Sequence, residues 1–421
     1  MKVSIYGNSY EAQVLAICLA ELGNDICVVE HYSPISRDSF NQPKYSIELE
    51  KQRLIAHGKL FNGSIETAAS FANIHFFVKI DSQQHIQELI AKIGKINSPS
   101  TFVLSSMMSI DEIKAVKSKL NDINCLASIP LFIREDKGSN DLFNPSLFII
   151  GSDNDEAIKR LSTLCRPFIN NASKSMVVDF NTAELIKTAI NSMLALRVSF
   201  MSELANISEQ LGVDVELVKQ GMASDSRIGG DYLDPGCGFG GNSLSGELAI
   251  MRSYLRKYKN ESGLIDSIIQ INEQQKEVLF RKLWKHYRCD LKGKRVGIWG
   301  GAFKPNTSSL DGSPLHNILE ALWAQGAKTI VYDPKSADNL EAMYYREHND
   351  ELSIVRNSYD ALISADALLI ITAWNEFYSP DFLKMKALMK RAVIFDGRNI
   401  YDPQEVEAFG FQYYAIGRGR T

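Results

Sequence analysis

The chain has 421 residues, 45% of them apolar, enough for about two or three separately cored domains. Its 46 lysines and arginines against 50 aspartates and glutamates leave a net charge of −4, which gives no basis for a nucleic-acid or anionic-membrane partner. Six cysteines stand singly without CxxC spacing, so reduced thiols and no metal site are expected. With no signal-peptide core after Met1 and no apolar run near the roughly 20 residues that span a bilayer, a cytoplasmic protein is expected.

Residues 2–6 read as a buried strand, 7–9 as a tight turn, and 10–22 as an apolar helix stopped by Gly23. Residues 26–30 return as a strand and complete a βαβ unit. Apolar runs at 74–78, 101–104 and 146–150 then alternate with helical stretches at 83–93 and 109–120, the pattern of a parallel sheet covered on both faces. Residues 182–211 form one long helix that is apolar on more than one face, as in a domain junction or a dimer interface. A second βαβ unit follows 291–294: strand 296–299, a helix with Ser313 as N-cap and Pro314 at its first position, a stop at Gly326, and strand 329–332. Strands at 367–372 and 392–395 extend it. The expected class is α/β, two Rossmann-like doubly wound domains joined by a long central helix, divided at 1–178, 179–290 and 291–421.

The first turn is the place for a dinucleotide fingerprint, whose three glycines serve the turn, the approach of the pyrophosphate and helix–strand packing. Gly7, Ser9 and Ala12 stand at those positions, with Tyr10 in the same turn. Ala12 is a tolerated packing substitute, but Ser9 places a side chain where the pyrophosphate rests. Glu30 closes the second strand, either as the acid that binds the ribose hydroxyls of NAD or as an exposed carboxylate at a strand end.

The run 225–247, DSRIGGDYLDPGCGFGGNSLSGE, resembles the signature of the UDP-glucose/GDP-mannose dehydrogenase family, in which a segment like GFGGSCFPKD carries a nucleophilic cysteine, then a lysine and an aspartate. Here Ser243 stands in the place of the thiol, Gly246 in that of the lysine and Glu247 in that of the aspartate. The resemblance extends through Ala183-Glu184-Leu185-Ile186-Lys187 with Asn191, through 225–229, Phe303-Lys304-Pro305-Asn306-Thr307, and 396–403. It implies oxidation of a nucleotide sugar by two hydride transfers to NAD, by way of a thiohemiacetal and a thioester.

Carried over by that resemblance, Lys187 and Asn191, one helical turn apart, are the donors for a developing oxyanion. From the residues alone, Lys187 reads instead as a surface cation paired with Glu184, and it is the resemblance that favours the oxyanion role. Arg227, Lys304 and Arg398 are expected around the diphosphate and uridine, with Tyr232 and Phe239 as walls and Gly240 letting the backbone come close. The plainer readings are solvated loop cations and core aromatics. Ser106 matches a threonine that holds the reactive water, and Glu135 keeps one family carboxylate while Leu131 replaces another.

A serine hydroxyl, unlike a thiol, supplies essentially no anion at neutral pH and needs a general base. Glu247 is the one candidate in the motif, while Cys237, on the far side of the glycine turn, reads as a structural thiol. On the cofactor side, Asp311 stands in the position nearest a family arginine, and Lys79-Ile80 replaces a Thr-Pro pair. NAD affinity is therefore expected to be low or nil. The first expectation is a homologue that binds a UDP-sugar such as UDP-glucose with little or no oxidation, acting as a regulator or subunit partner of an active relative. The alternatives are an active NAD-dependent UDP-glucose 6-dehydrogenase, complete or stopping at the aldehyde, and an oligomerising protein with a vestigial pocket. The long helix makes a homodimer the expected assembly.

Overall fold

The computed structural model describes residues 1–30, 45–80, 82–96, 99–121, 123–134, 137–344 and 350–418. The chain separates into two compact units, Met1–Ile190 and Asn191–Thr421, each built around one sheet.

In the first unit the strands are β1 (Lys2–Tyr6), β2 (Asp25–Val29), β3 (Leu60–Asn62), β4 (Ile74–Val78), β5 (Thr101–Ser105), β6 (Cys125–Ser128), β7 (Leu147–Gly151) and β8 (Lys174–Val178). They lie in the order β3-β2-β1-β4-β5-β6-β7-β8. All pairings are parallel except that of β6 with β7, which meet antiparallel at Ser128 and Gly151. Chain order reverses between β1 and β4, the doubly wound arrangement anticipated from the sequence, and this reversal opens a crevice at the strands' carboxyl ends. Alternating side chains feed two apolar layers: Val3, Ile5 and Phe76 enter one, Tyr6, Phe77 and Phe102 the other. Because both faces are covered, β4 and β5 are buried at every position, which is why they read as nearly continuous apolar runs.

In the second unit the strands are β9 (Arg295–Trp299), β10 (Lys328–Tyr332), β11 (Leu352–Val355), β12 (Ala367–Ile370), β13 (Val393–Asp396) and β14 (Gln412–Tyr414). Their order, β11-β10-β9-β12-β13-β14, repeats the doubly wound plan, here wholly parallel. Helix Pro314–Ala324 starts as its sequence dictates, with the Ser313 hydroxyl accepting from Leu315 N at 3.2 Å and Pro314 in the first turn. The same hydroxyl donates to Gly301 O at 2.7 Å and so ties the helix start to the turn after β9.

One helix, Phe180–Leu211, is 32 residues long, about 48 Å at 1.5 Å per residue. Asp179 accepts from Thr182 N at 2.9 Å and fixes its first turn. A buried stripe of small residues, Ser192, Ala195, Ser199, Ser202, Ala205 and Ser208, recurs at three- and four-residue spacing. On another stripe Leu185, Met193, Phe200, Ile207 and Leu211 are between 43% and 68% exposed. Among the described residues no helix is long and apolar enough to cross a membrane.

Candidate functional site

In the first unit the fingerprint turn sits at the reversal between β1 and β4. Gly7 has φ +137°, and a Cβ there would lie 2.4 Å from Val78 O, so only glycine lets the turn rest against the end of β4. Ser9 is the N-cap of helix Tyr10–Glu21, its hydroxyl accepting from Ala12 N at 3.2 Å. Ser9 is therefore a helix cap as well as the side chain that replaces a fingerprint glycine. Ala12 is buried, as close packing of helix on strand requires, and Tyr10 is partly buried at the helix start.

Glu11, in the first helical turn, forms an ion pair with Lys79, the residue just past β4, whose φ is +47°. Glu30, just past β2, pairs with Lys51 at 3.2 Å; both line a small cavity with Gly7, Asn8, Gln13 and Ala16. Both acids of this crevice are thus matched to lysines of the same unit. A side-chain cap, Ser9, and a carboxylate, Glu11, stand at the helix end where a doubly wound fold receives a dinucleotide's diphosphate.

Ser106 is buried, donating to Phe77 O at 3.3 Å and accepting from Ile80 N at 3.1 Å, so its hydroxyl pins the backbone after β4. Glu135 lies outside the described residues. Lys187 is partly buried on the long helix, and Glu184, offered as its surface partner, is itself buried and hydrogen-bonded to the Ser128 hydroxyl. Asn191, four residues on, is partly buried.

In the second unit the glycine loop is gripped from three sides. Gln275 Nε2 donates to Gly236 O at 2.7 Å, and Asn272 bonds both the N–H and the carbonyl of Phe239, at 2.8 and 3.0 Å. Cys237 N donates to Gly397 O at 3.0 Å, and Gly241 N to Asp311 O at 2.7 Å. A Cβ on Gly240 would stand 2.6 Å from Gly312 O, so this glycine is explained by backbone approach within the protein. Asp311 also accepts from Asn242 Nδ2 at 3.2 Å, a structural use for the residue that replaces the expected arginine.

The loop feeds helix Asn242–Lys257, whose N-cap, Gly241, offers no side-chain bond. Ser243 is exposed in its first turn and makes no hydrogen bond among the described residues. Glu247, one turn on, is 1% exposed. His316, which follows the 309–312 loop, is already engaged: its Nε2 donates to Leu310 O at 2.7 Å and its Nδ1 accepts a hydrogen bond from the Tyr344 hydroxyl. Cys237 is fully buried and donates to Ile371 O at 3.7 Å; burial pushes its thiol up, away from thiolate formation.

The expected nucleotide contacts divide. Arg398 Nε donates to Ile371 O at 2.5 Å and its Nη1 to Gly238 O at 3.3 Å, so this cation braces the glycine loop while retaining further donors. Lys304 Nζ lies 5.5 Å from the centre of the Phe303 ring. Tyr232 has φ +60° and a half-exposed ring. Arg227 has an 87% exposed side chain and is chelated by Asp225 at 2.6 and 3.0 Å, a pairing that holds the Asp225 carboxyl below its ordinary range. Phe239 needs correction as a stacking wall: at 9% exposure it packs with Ala195, Leu248, Ile265 and Ile268, because the turn aims it inward. Asn272 and Gln275 were not singled out from the sequence; polar residues three apart on an otherwise buried helix face were the available signal.

With this geometry in view, comparison with known proteins is consistent across the chain. Residues 181–274 match the UDP-glucose/GDP-mannose dehydrogenase family, central domain, and residues 297–403 match the same family's UDP binding domain. The UDP-glucose 6-dehydrogenase of Pseudomonas aeruginosa is 29% identical over 100% of this chain and 98% of its own length. That of Rhizobium meliloti is 29% identical over 99% and 100%. Among solved structures, a UDP-glucose dehydrogenase from Pyrobaculum islandicum superposes with a TM-score of 0.85 at 23% identity, covering 100% of this chain and 98% of that one. The UDP-D-ManNAc dehydrogenase of Pyrococcus horikoshii gives 0.84 at 19% identity, with 100% of both chains covered. The chain belongs to the UDP-glucose/GDP-mannose dehydrogenase family.

Proposed function

We propose that this protein binds a UDP-sugar of the UDP-glucose type and carries out NAD-dependent oxidation to the uronate weakly or not at all. The observation that carries this reading is the state of Ser243, exposed at the start of helix Asn242–Lys257, its hydroxyl without a hydrogen bond to a base among the described residues. A helix N-terminus favours an anion, but a thiol ionising near pH 8.5 can exploit that and an aliphatic hydroxyl cannot. Glu247, one helical turn further on, is buried and makes no hydrogen bond with the Ser243 hydroxyl.

Support for nucleotide-sugar binding comes from the second unit. Lys304 follows β9 and Arg398 follows β13, at the carboxyl ends of a doubly wound sheet, where ligands of such folds lie. The stretch matched to the family's UDP binding domain includes both. Two copies of the chain associate through the exposed apolar stripe of the long helix, and an active relative with a similar stripe is the alternative partner. The protein acts in the cytoplasm, where its unpaired thiols stay reduced.

Melting scans of the full chain with UDP, UDP-glucose and NAD, together with NADH absorbance, test the reading. UDP and UDP-glucose are expected to raise Tm with concentration, NAD to leave it unchanged, and NADH not to accumulate. Turnover that Ser243→Ala abolishes would instead make this an active dehydrogenase, complete or stopping at the aldehyde. No shift with any nucleotide would leave an oligomerising protein with a vestigial pocket.

A further inference from the structure

We propose that the Glu11–Lys79 ion pair is a specificity determinant that bars a dinucleotide diphosphate from the crevice of the first unit. The inference rests on the reading that NAD affinity is lost, and it names the residues responsible. In a doubly wound sheet the diphosphate lies at the chain-order reversal, against the N-terminus of the helix after the first strand, where free backbone N–H groups and the helix dipole favour negative charge. Here that helix is Tyr10–Glu21 and the reversal is between β1 and β4.

The seat is satisfied from within. The Ser9 hydroxyl takes the Ala12 N–H, one of the first-turn donors, at 3.2 Å. Glu11 adds a carboxylate in the same turn, its side chain only 12% exposed. Lys79 reaches it from the end of β4, and the tight approach of Gly7 to Val78 O fixes these two segments side by side. A diphosphate arriving here meets a carboxylate with the charge preference it would itself satisfy, and a lysine whose charge is already matched. Like charges in a partly desolvated cleft repel strongly, so the carboxylate excludes and the lysine holds it in place.

The two members of the pair therefore have opposite effects when removed. Loss of the Glu11 charge leaves Lys79 as an uncommitted cation at the anion seat. Loss of Lys79 leaves the carboxylate alone there.

Calorimetric titration of the full chain with NAD and with adenosine, which has no diphosphate, tests this on wild type, Glu11→Gln, Lys79→Gln and the double variant Ser9→Gly/Glu11→Gln. Glu11→Gln is expected to tighten NAD binding at least about tenfold over wild type, more so with Ser9→Gly, with the gain fading as salt rises and adenosine unaffected. Lys79→Gln is expected to give no gain. Equal NAD affinity in wild type, Glu11→Gln and the double variant, all folded by melting, would overturn the inference and leave the cofactor reading standing. So would an equal gain in Lys79→Gln. Tight NAD binding by the wild type would overturn the cofactor reading and the inference together.

Discussion

Asn272 holds Phe239 by both ends of its side-chain amide, accepting from the backbone N–H at 2.8 Å and donating to the carbonyl at 3.0 Å. The amide thereby satisfies both backbone groups of one residue, as a neighbouring strand would, and it fixes a loop that has no regular structure of its own. Gln275, three residues further on helix Gly263–Lys276, secures Gly236 in the same way through its carbonyl. Asn272→Ala leaves a buried donor and a buried acceptor unpaired, each costing about 1–3 kcal/mol, so a loss of about 2–6 kcal/mol is expected in urea denaturation. UDP-glucose affinity should fall with it, because Phe239 leads directly into Gly240, Gly241 and the helix that carries Ser243.

His75 sets a pH dependence in the first unit. It is fully buried in β4, its ring stacked at 5.5 Å on Phe102 and within 3.3 Å of the Tyr6 hydroxyl, and burial pushes its pKa down to about 4. The unfolded chain takes up a proton below about pH 6.5 while the folded one stays neutral until about 4. The stabilisation is therefore present above pH 6.5 and lost as pH falls toward 4, by about 2 kcal/mol between pH 7 and pH 5. His75→Phe keeps a stacking ring and removes the proton site. Its stability should fall less than that of wild type across this range in parallel urea titrations, and parallel curves for the two proteins would rule the mechanism out.

The reversal of chain order in both sheets was legible because β1, β4, β9 and β12 are apolar runs set apart by helical periods. The edge elements β3 and β14, three residues each, were not, since so short a run carries no period. At the site, residue types were legible and side-chain directions were not. Phe239 and Tyr232 look alike as aromatic neighbours of a glycine loop, yet one is core and the other faces solvent, which depends on turn dihedrals that sequence does not encode locally. Lys79 stood out as a departure from a motif. That it finds Glu11 is a long-range contact between two segments joined only by the sheet.

Ser243→Cys would restore the family's nucleophile in place. The thiol would sit exposed in the first turn of a 16-residue helix with no side-chain cap, where the dipole lowers a thiol pKa. Peptide mapping after brief iodoacetamide treatment should find residue 243 alkylated well before the buried Cys237, and UDP-glucose should slow the reaction. Turnover with NAD is not expected to return, because the first unit's crevice is unchanged. Steady NADH production by this single variant would show that the cofactor side is competent.

The exposed stripe on helix Phe180–Leu211 has a direct consequence for assembly. Met193, Phe200 and Ile207 are spaced by seven residues, which returns each to nearly the same side of the helix, and a stripe of this kind is costly to leave in water. The opposite stripe, Ser192, Ser199 and Ala205, is buried within the chain, so the apolar side is the one left for a second copy. Phe200→Glu places a charge at its middle and should convert a dimer to a monomer in sedimentation velocity runs at micromolar concentration. Burying a lone carboxylate in such a seam costs several kcal/mol, more than one interface ring contributes, so the shift should be large even where Phe200→Ala only weakens association. Wild-type protein that sediments as a monomer would overturn the dimer, and a glutamate variant that remains dimeric would place the contact elsewhere.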